Sequence, residues 1–296
     1  TYDDPATFIT ERRSLMNDPS IPGIPQLIEI ARSVRIDIVQ AIHHAKGGHF
    51  GGPLSAVELL VALYFRELNI DPVHPQWEDR DRFILSKGHS AIALYAVLAE
   101  RGYFPVEELM TFDAIDSRMQ GHPDMKQTPG VDMSSGSLGQ GLSAGIGMAL
   151  GARVLGKSFR TYVMIGDGES QEGQIWEAAF IASRYQLDNL VAILDYNKVQ
   201  QFGWQYPEPL LPIDHPEEKF AAFGWHVIEI DGHDFNAILN AFDQAKMVKG
   251  KPTIIIAHTV KGKGVSFAEG KYQWHAKVPN DEELTLALAE LVRREG

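Results

Sequence analysis

Hydrophobic positions along the chain alternate between two periods. Leu27 to Ala45 carries apolar residues at 27, 28, 30, 31, 34, 38 and 42, a helical spacing. Tyr162 to Ile165 is a short β-branched and aromatic run, the pattern of a buried parallel strand, and Leu190 to Leu194 is a second apolar strand; Arg82 to Leu85, Trp225 to Ile230 and Thr253 to Ala257 read as further strands. Helices are predicted after His89, from Gln171 to Tyr185 and from about Phe235 to Val248. Ser55 is predicted to cap a helix running to about Phe65, with Glu58 three residues on as its capping-box partner; Asn280 and Glu283 repeat that spacing at a terminal helix. Small residues at four-residue spacing between Met133 and Gly151 allow close helix packing. Strand–helix alternation of this kind implies an α/β fold with three layers, helices on both faces of a mostly parallel sheet. Residues 1–25 are polar and carry Pro5, Pro19, Pro22 and Pro25, so they are expected to form an arm ahead of one domain over 26–296.

The loops between these elements hold the chemistry. Gly166-Asp167-Gly168 interrupts a strand with a turn bearing one carboxylate, and Asn197 and Val199 directly follow the next strand. Parallel sheets bind ligands beyond the carboxyl ends of their strands, so Asp167 and Asn197 are expected side by side at one rim, although roughly thirty residues apart in sequence. A carboxylate and an amide oxygen form a hard, all-oxygen pair that suits Mg²⁺ or Ca²⁺ better than Zn²⁺, and Mg²⁺ so bound keeps positions for water and phosphate oxygens. The Gly168 N–H and the following helix start direct donors at the same anion. Taken alone, Gly-Asp-Gly is an ordinary tight turn; the paired strand ends argue for more. His49 lies in the Gly-rich loop from Lys46 to Leu54, His89 in Ser-Lys-Gly-His-Ser, His122 between Gly121 and Pro123, and His275 near the final loop. Each can donate to phosphate or hydroxyl oxygens or shuttle a proton near neutral pH. His43 and His44 read as mid-helix surface or packing residues. Lys261-Gly262-Lys263-Gly264 after the last strand is the one concentrated basic loop.

The chain has 296 residues, 44% of them hydrophobic, enough for one large core. A formal net charge of −12, from 39 acidic and 27 basic residues, argues against a nucleic-acid or anionic-membrane surface, so a diphosphate must be held by local donors and a metal. Cysteine is absent, which excludes disulfides, a thiol nucleophile and Cys-based metal sites. No apolar stretch is long enough to cross a bilayer and no signal peptide precedes the first element, so a cytoplasmic location is expected.

Gly-Asp-Gly, a helix, then a strand ending in Asn resembles the thiamine diphosphate signature. G-D-G-E-S-Q-E-G-Q-I-W-E-A and D-Y-N-K-V-Q-Q-F-G, with G-G-H-F-G-G-P-L, D-R-F-I-L-S-K-G-H-S-A, Q-G-H-P and S-S-G-S-L-G-Q-G-L-S in the same order, resemble transketolase specifically. The resemblance covers about residues 27 to 280. It implies a thiamine-diphosphate-binding fold in which Asp167 and Asn197 hold Mg²⁺ (with Ca²⁺ or Mn²⁺ as substitutes) through side chains and Val199 through its carbonyl. His89, Gly168, Asn197 and His275 would contact the cofactor, and Gly136, Ser137 and Leu138 would line its path. His49, His122 and His275 would face substrate hydroxyls and assist proton transfer. Glu172 and Glu177 resemble interface glutamates linking paired active sites; an ordinary exposed helix face accounts for them as well. Phe50 stands where the family usually has Pro, and Ala276 where it commonly has Gly, which bears on the shape of the sugar pocket.

In that family the glutamate that pairs with the cofactor's aminopyrimidine lies in a second, pyrimidine-binding domain absent from this sequence. The expectation is therefore an amino-terminal subunit of a split transketolase, transferring a two-carbon ketol unit from a ketose or ketose phosphate to an aldose or aldehyde. Its partner would be a carboxy-terminal subunit with the pyrimidine domain, two copies of each chain forming a heterotetramer. Three other readings stay open: the α-type subunit of a 2-oxoacid dehydrogenase or a deoxyxylulose-phosphate synthase relative, a non-catalytic cofactor-binding subunit, and a fragment of a longer transketolase.

Overall fold

The computed structural model describes residues 21–202 and 213–293; residues 1–20 of the arm expected over 1–25 lie outside them. Helix α1 spans Ile24–Ala45, α2 Gly51–Ser55 and α3 Val57–Ala62, the last continued by a π turn over Leu63–Glu67. Strand β1 is Arg82–Leu85, followed by α4 at Ala91–Arg101 and α5 at Gln140–Val154. Then come β2 Thr161–Gly166, α6 Gly173–Arg184, β3 Leu190–Tyr196 and α7 Pro216–Ala222. The order closes with β4 His226–Asp231, α8 Phe235–Met247, β5 Thr253–His258 and α9 Asp281–Val292.

Among the described residues five parallel strands form one sheet in the order β1-β2-β3-β5-β4. Alternate residues of each strand enter different cores, as the two-residue period of a strand dictates. Phe83, Leu85, Tyr162, Met164, Val191, Ile193 and Ile255 pack with α1, α3, α4 and α8 on one face. Ile84, Val163, Ile165, Ala192, Leu194 and Ile256 pack with α5, α6 and α7 on the other. The fold is thus three-layered α/β/α, as the alternation of elements predicts. The chain leaves β3, passes over one slot to β4 and returns to fill the slot with β5. The connecting helix changes face as the direction reverses, in keeping with right-handed crossovers: α6 and α7 lie on one face and α8 on the other.

Local expectations fail in four places. Helix α1 begins at Ile24, inside the expected arm, because Pro25 suits the first turn, where a missing N–H costs nothing. The loop around His49 ends at Phe50 rather than Leu54, since residues 51–55 form α2. Ser55 is no N-cap: its hydroxyl donates to the Gly52 carbonyl (2.9 Å) and to Asp195 Oδ2 (2.6 Å), and Glu58 is engaged by Arg35 and His233. His43 and His44 sit in the last turn of α1 rather than mid-helix, and His43 Nε2 meets Asp281 at 2.8 Å. The Asn280–Glu283 capping box forms as expected.

Candidate active site

The carboxyl ends of β1, β2, β3 and β5 meet at one rim, which is first of all a set of buried charges that satisfy one another. Asp195, fully buried on β3, accepts from Lys87 Nζ after β1, Ser55 Oγ on α2 and Thr259 Oγ1 after β5. Burial alone would raise its pKa, but the Lys87 ammonium and these hydrogen bonds hold it below the usual carboxylate range. Glu169 behaves in the opposite sense. Burial raises it, although its carboxylate accepts from Ser86 Oγ and from the Gly139 and Gly166 N–H groups, both at 2.9 Å. These two acids join four strand ends and the start of α5 into a rigid floor.

Asp167 stands on that floor, 4% exposed, one residue beyond β2. Its Oδ1 accepts from Gly168 N at 2.7 Å and its Oδ2 from Lys198 N, the amide that follows Asn197. The carboxylate and Asn197 are therefore joined through one peptide unit, as the strand-end argument requires. The Asn197 amide oxygen accepts from Val199 N at 3.1 Å, and the Val199 carbonyl accepts from Lys261 Nζ at 2.9 Å. Burial, then the nearby Asp195 charge, push the Asp167 pKa up to about 7, and the Lys198, Gly168 and Lys261 contacts only partly oppose this. Its carboxylate, the Asn197 amide oxygen and the Val199 carbonyl are hard oxygen donors, a set that fits the divalent ion the resemblance implies.

Beside this corner the structure gathers all four loop histidines. The rings of His49, His89 and His275 lie 5.2 Å apart pairwise, and His122 lies 6.1 Å from His49 at the exposed rim. Burial, with the His122 and Lys261 charges, lowers His49 to about 4; burial, with Lys261, His49 and Lys87, lowers His275 to about 3; His89 falls well below 6.5 for the same kind of reason. At neutral pH these three are uncharged imidazoles, each with one donor and one acceptor nitrogen. Lys261 Nζ donates to His275 Nδ1 at 2.9 Å, which leaves the His275 proton on Nε2. Two glycines permit the crowding: a Cβ on Gly51 would come within 2.8 Å of Lys261 Cγ, and one on Gly136 within 3.1 Å of His122 Cδ2.

Other expected residues are placed more loosely. Gly136 lies against His122, whereas Ser137 is exposed and Leu138 half-buried in the turn before α5. Glu172 and Glu177 are exposed at the start of α6. The Phe50 departure has a structural role: its buried ring packs on Trp274 at 5.1 Å and its N–H donates to the His275 carbonyl at 3.0 Å, a bond proline could not make. Ala276 has φ −133°, open to any residue, so glycine is not needed there. Sequence reasoning missed Lys87, Asp195 and Lys261. For Asp195 a signal existed, since an acid inside an otherwise apolar strand needs a buried partner. Lys261 was visible as part of a basic loop, but at 2% exposure it is a buried cation, lowered to about 8 by burial and by Lys87.

Residues 26–291 match the family described as "Transketolase, thiamine diphosphate binding domain". The chain is 50% identical over 249 residues to a 6-deoxy-6-sulfo-D-fructose transketolase subunit of Clostridium sp. (strain MSTE9), covering 84% of this chain and 90% of that protein. It is 43% identical over 267 residues to an apulose-4-phosphate transketolase subunit of Actinobacillus succinogenes, covering 90% of this chain and 96% of the relative. Among solved structures, transketolase from Leishmania mexicana superimposes with a TM-score of 0.84 at 29% identity, covering 90% of this chain but 41% of that one. The chain thus spans about two fifths of the solved transketolases it matches. It belongs to the transketolase family, as the amino-terminal, thiamine diphosphate binding part.

Proposed function

We propose that this chain is the amino-terminal subunit of a two-chain transketolase, transferring a two-carbon ketol unit from a ketose phosphate or similar anionic ketose to an aldose or aldehyde. The observation that carries this reading is the cluster of three neutral imidazoles beside the Asp167 corner. Asp167 and Asn197 would hold Mg²⁺ through their side chains and Val199 through its carbonyl, and His89, Gly168 and His275 would contact the cofactor's diphosphate. Gly136, Ser137 and Leu138 would line the approach to its rings. When bound, thiamine diphosphate supplies the electron sink for cleaving the bond between C2 and C3 of the ketose. The protein's part is positioning and proton traffic: His49, His122 and His275 donate to substrate hydroxyls, and a neutral imidazole among them takes or returns the hydroxyl proton.

One consideration supports a two-chain enzyme and another an anionic ketose. Relatives named as transketolase subunits are matched over 90% and 96% of their length, whereas the mouse transketolase is matched over 41% of its own. Those two relatives are also named for ketoses bearing a sulfonate or a phosphate, which favours an anionic ketose here. The partner would bring the pyrimidine domain and its glutamate, in an assembly of two copies of each chain, with Glu172 and Glu177 at the contact between paired sites. A ketol-transfer assay with Mg²⁺ and thiamine diphosphate tests this: turnover is expected only with the partner chain and with a ketose phosphate rather than pyruvate. Robust turnover by the isolated chain, or preference for pyruvate, would overturn it.

A further inference from the structure

Glu58 lies in α3 among Val57, Leu59 and Leu60, all fully buried, and is itself 7% exposed. A carboxylate in such a place is costly without partners. One oxygen, Oε2, accepts from Arg35 Nη2 at 2.6 Å and from His233 Nδ1 at 2.9 Å. Burial pushes its pKa up, yet Arg35 and His233 outweigh burial and hold it at about 2. The other ends of both partners grip the loop after β5. Arg35 Nε donates to the Lys263 carbonyl at 3.1 Å, and His233 Nε2 accepts from Val260 N at 2.9 Å. An amide can only donate, so Nε2 carries no proton and the His233 proton sits on Nδ1, facing Glu58. Between the two grips Gly262 N donates to the Gly51 carbonyl at 2.9 Å. The side chain that leaves this clamped stretch is Lys261, whose ammonium reaches Val199 O and His275 Nδ1.

We propose that Arg35, Glu58 and His233 form a clamp that positions the Lys261 ammonium at the Asp167 corner. Arg35 and His233 act through the loop backbone and Glu58 through the two of them, so they are positioning residues. The proposal rests on reading that corner as the diphosphate site, because only then does the placement of Lys261 alter cofactor binding. Loss of one hydrogen bond on the loop should weaken that binding severalfold to about tenfold.

The test uses the chain assembled with its partner subunit, with Mg²⁺ and thiamine diphosphate as the probe. His233→Asn keeps a donor near Glu58 but places no acceptor at Val260, whereas His233→Gln reaches Val260 with its amide oxygen. Three readouts are taken: hydrogen exchange at the Val260 amide, the dissociation constant from tryptophan fluorescence, and the thermal midpoint. Asn is expected to speed exchange at Val260 about tenfold and weaken binding by a similar factor, and Gln to restore both largely. In a Lys261→Met background, His233→Asn should no longer change the affinity, because the clamp has nothing left to position. Wild-type exchange in the Asn variant, equal impairment by Asn and Gln, or an undiminished effect of His233→Asn without Lys261 would each overturn the proposal. If the wild-type assembly bound no cofactor, the functional reading would fail, and exchange at Val260 would still decide whether His233 holds the loop.

Discussion

Replacing Asp167 by Asn should make the cofactor-free chain more stable at pH 8 while removing its response to Mg²⁺ and thiamine diphosphate. The folded chain raises this carboxyl from 3.8 to about 7, through burial and then the Asp195 charge. Between those pH values the folded protein keeps a proton that the unfolded chain has released. Stability therefore falls as the pH rises through the window, and the penalty is complete above pH 7. At roughly 1.4 kcal/mol for each tenfold change in proton affinity, it amounts to about 4 kcal/mol. Asn removes that penalty but cannot accept from both Gly168 N and Lys198 N, and the orphaned donor costs about 1–3 kcal/mol. The net gain is about 1–3 kcal/mol at pH 8, turning into a loss of similar size near pH 4. Urea unfolding at the two pH values, with and without Mg²⁺ and thiamine diphosphate, measures both effects. Wild type should gain stability with the ligands by mass action, and the variant should not. A metal-free variant less stable than wild type at pH 8, or one that keeps the full ligand response, would refute the reasoning.

Two further outcomes follow from the same charges. Lys87→Met leaves the Asp195 carboxylate buried without its counter-ion and should cost about 3–5 kcal/mol in urea unfolding, with part of the loss recovered by adding Asp195→Asn; a cost below about 1 kcal/mol would show that the pair is not structural. In the cofactor-free chain His49 and His275, depressed to about 4 and about 3, should stay neutral by NMR from pH 8 down to pH 5. Because the unfolded chain takes up these protons below about pH 6.5, both residues destabilise the fold as the pH falls from there toward their folded values, and neither does so above it; titration of either ring above pH 6 would contradict this.

The strands, their shared rim and the placing of Asp167 beside Asn197 were legible because buried parallel strands are written as continuous apolar runs and the turns after them as glycine-flanked polar residues. The four histidines were each recognisable as loop residues, but only the fold brings three rings to 5.2 Å from one another. Local rules failed where tertiary partners outbid them. Ser55 and Glu58 have capping-box spacing, yet Ser55 binds Asp195 and Glu58 binds Arg35 and His233, at sequence separations of 140, 23 and 175. Lys87 and Lys261 read as loop lysines, since nothing in their neighbourhood announces that each ammonium is buried and faces an acceptor from a distant strand end. Among the described residues no helix is long and apolar enough to cross a membrane, in line with the composition.

The central claim is that a divalent ion held by the Asp167 and Asn197 oxygens touches the diphosphate of thiamine diphosphate. Substituting Mn²⁺ for Mg²⁺ and recording phosphorus relaxation of the bound cofactor tests that contact directly. Strong paramagnetic relaxation of both phosphorus resonances, abolished by Asp167→Asn, is the predicted result. Phosphorus signals that bind to the chain yet ignore Mn²⁺, or relax equally in the variant, would contradict it.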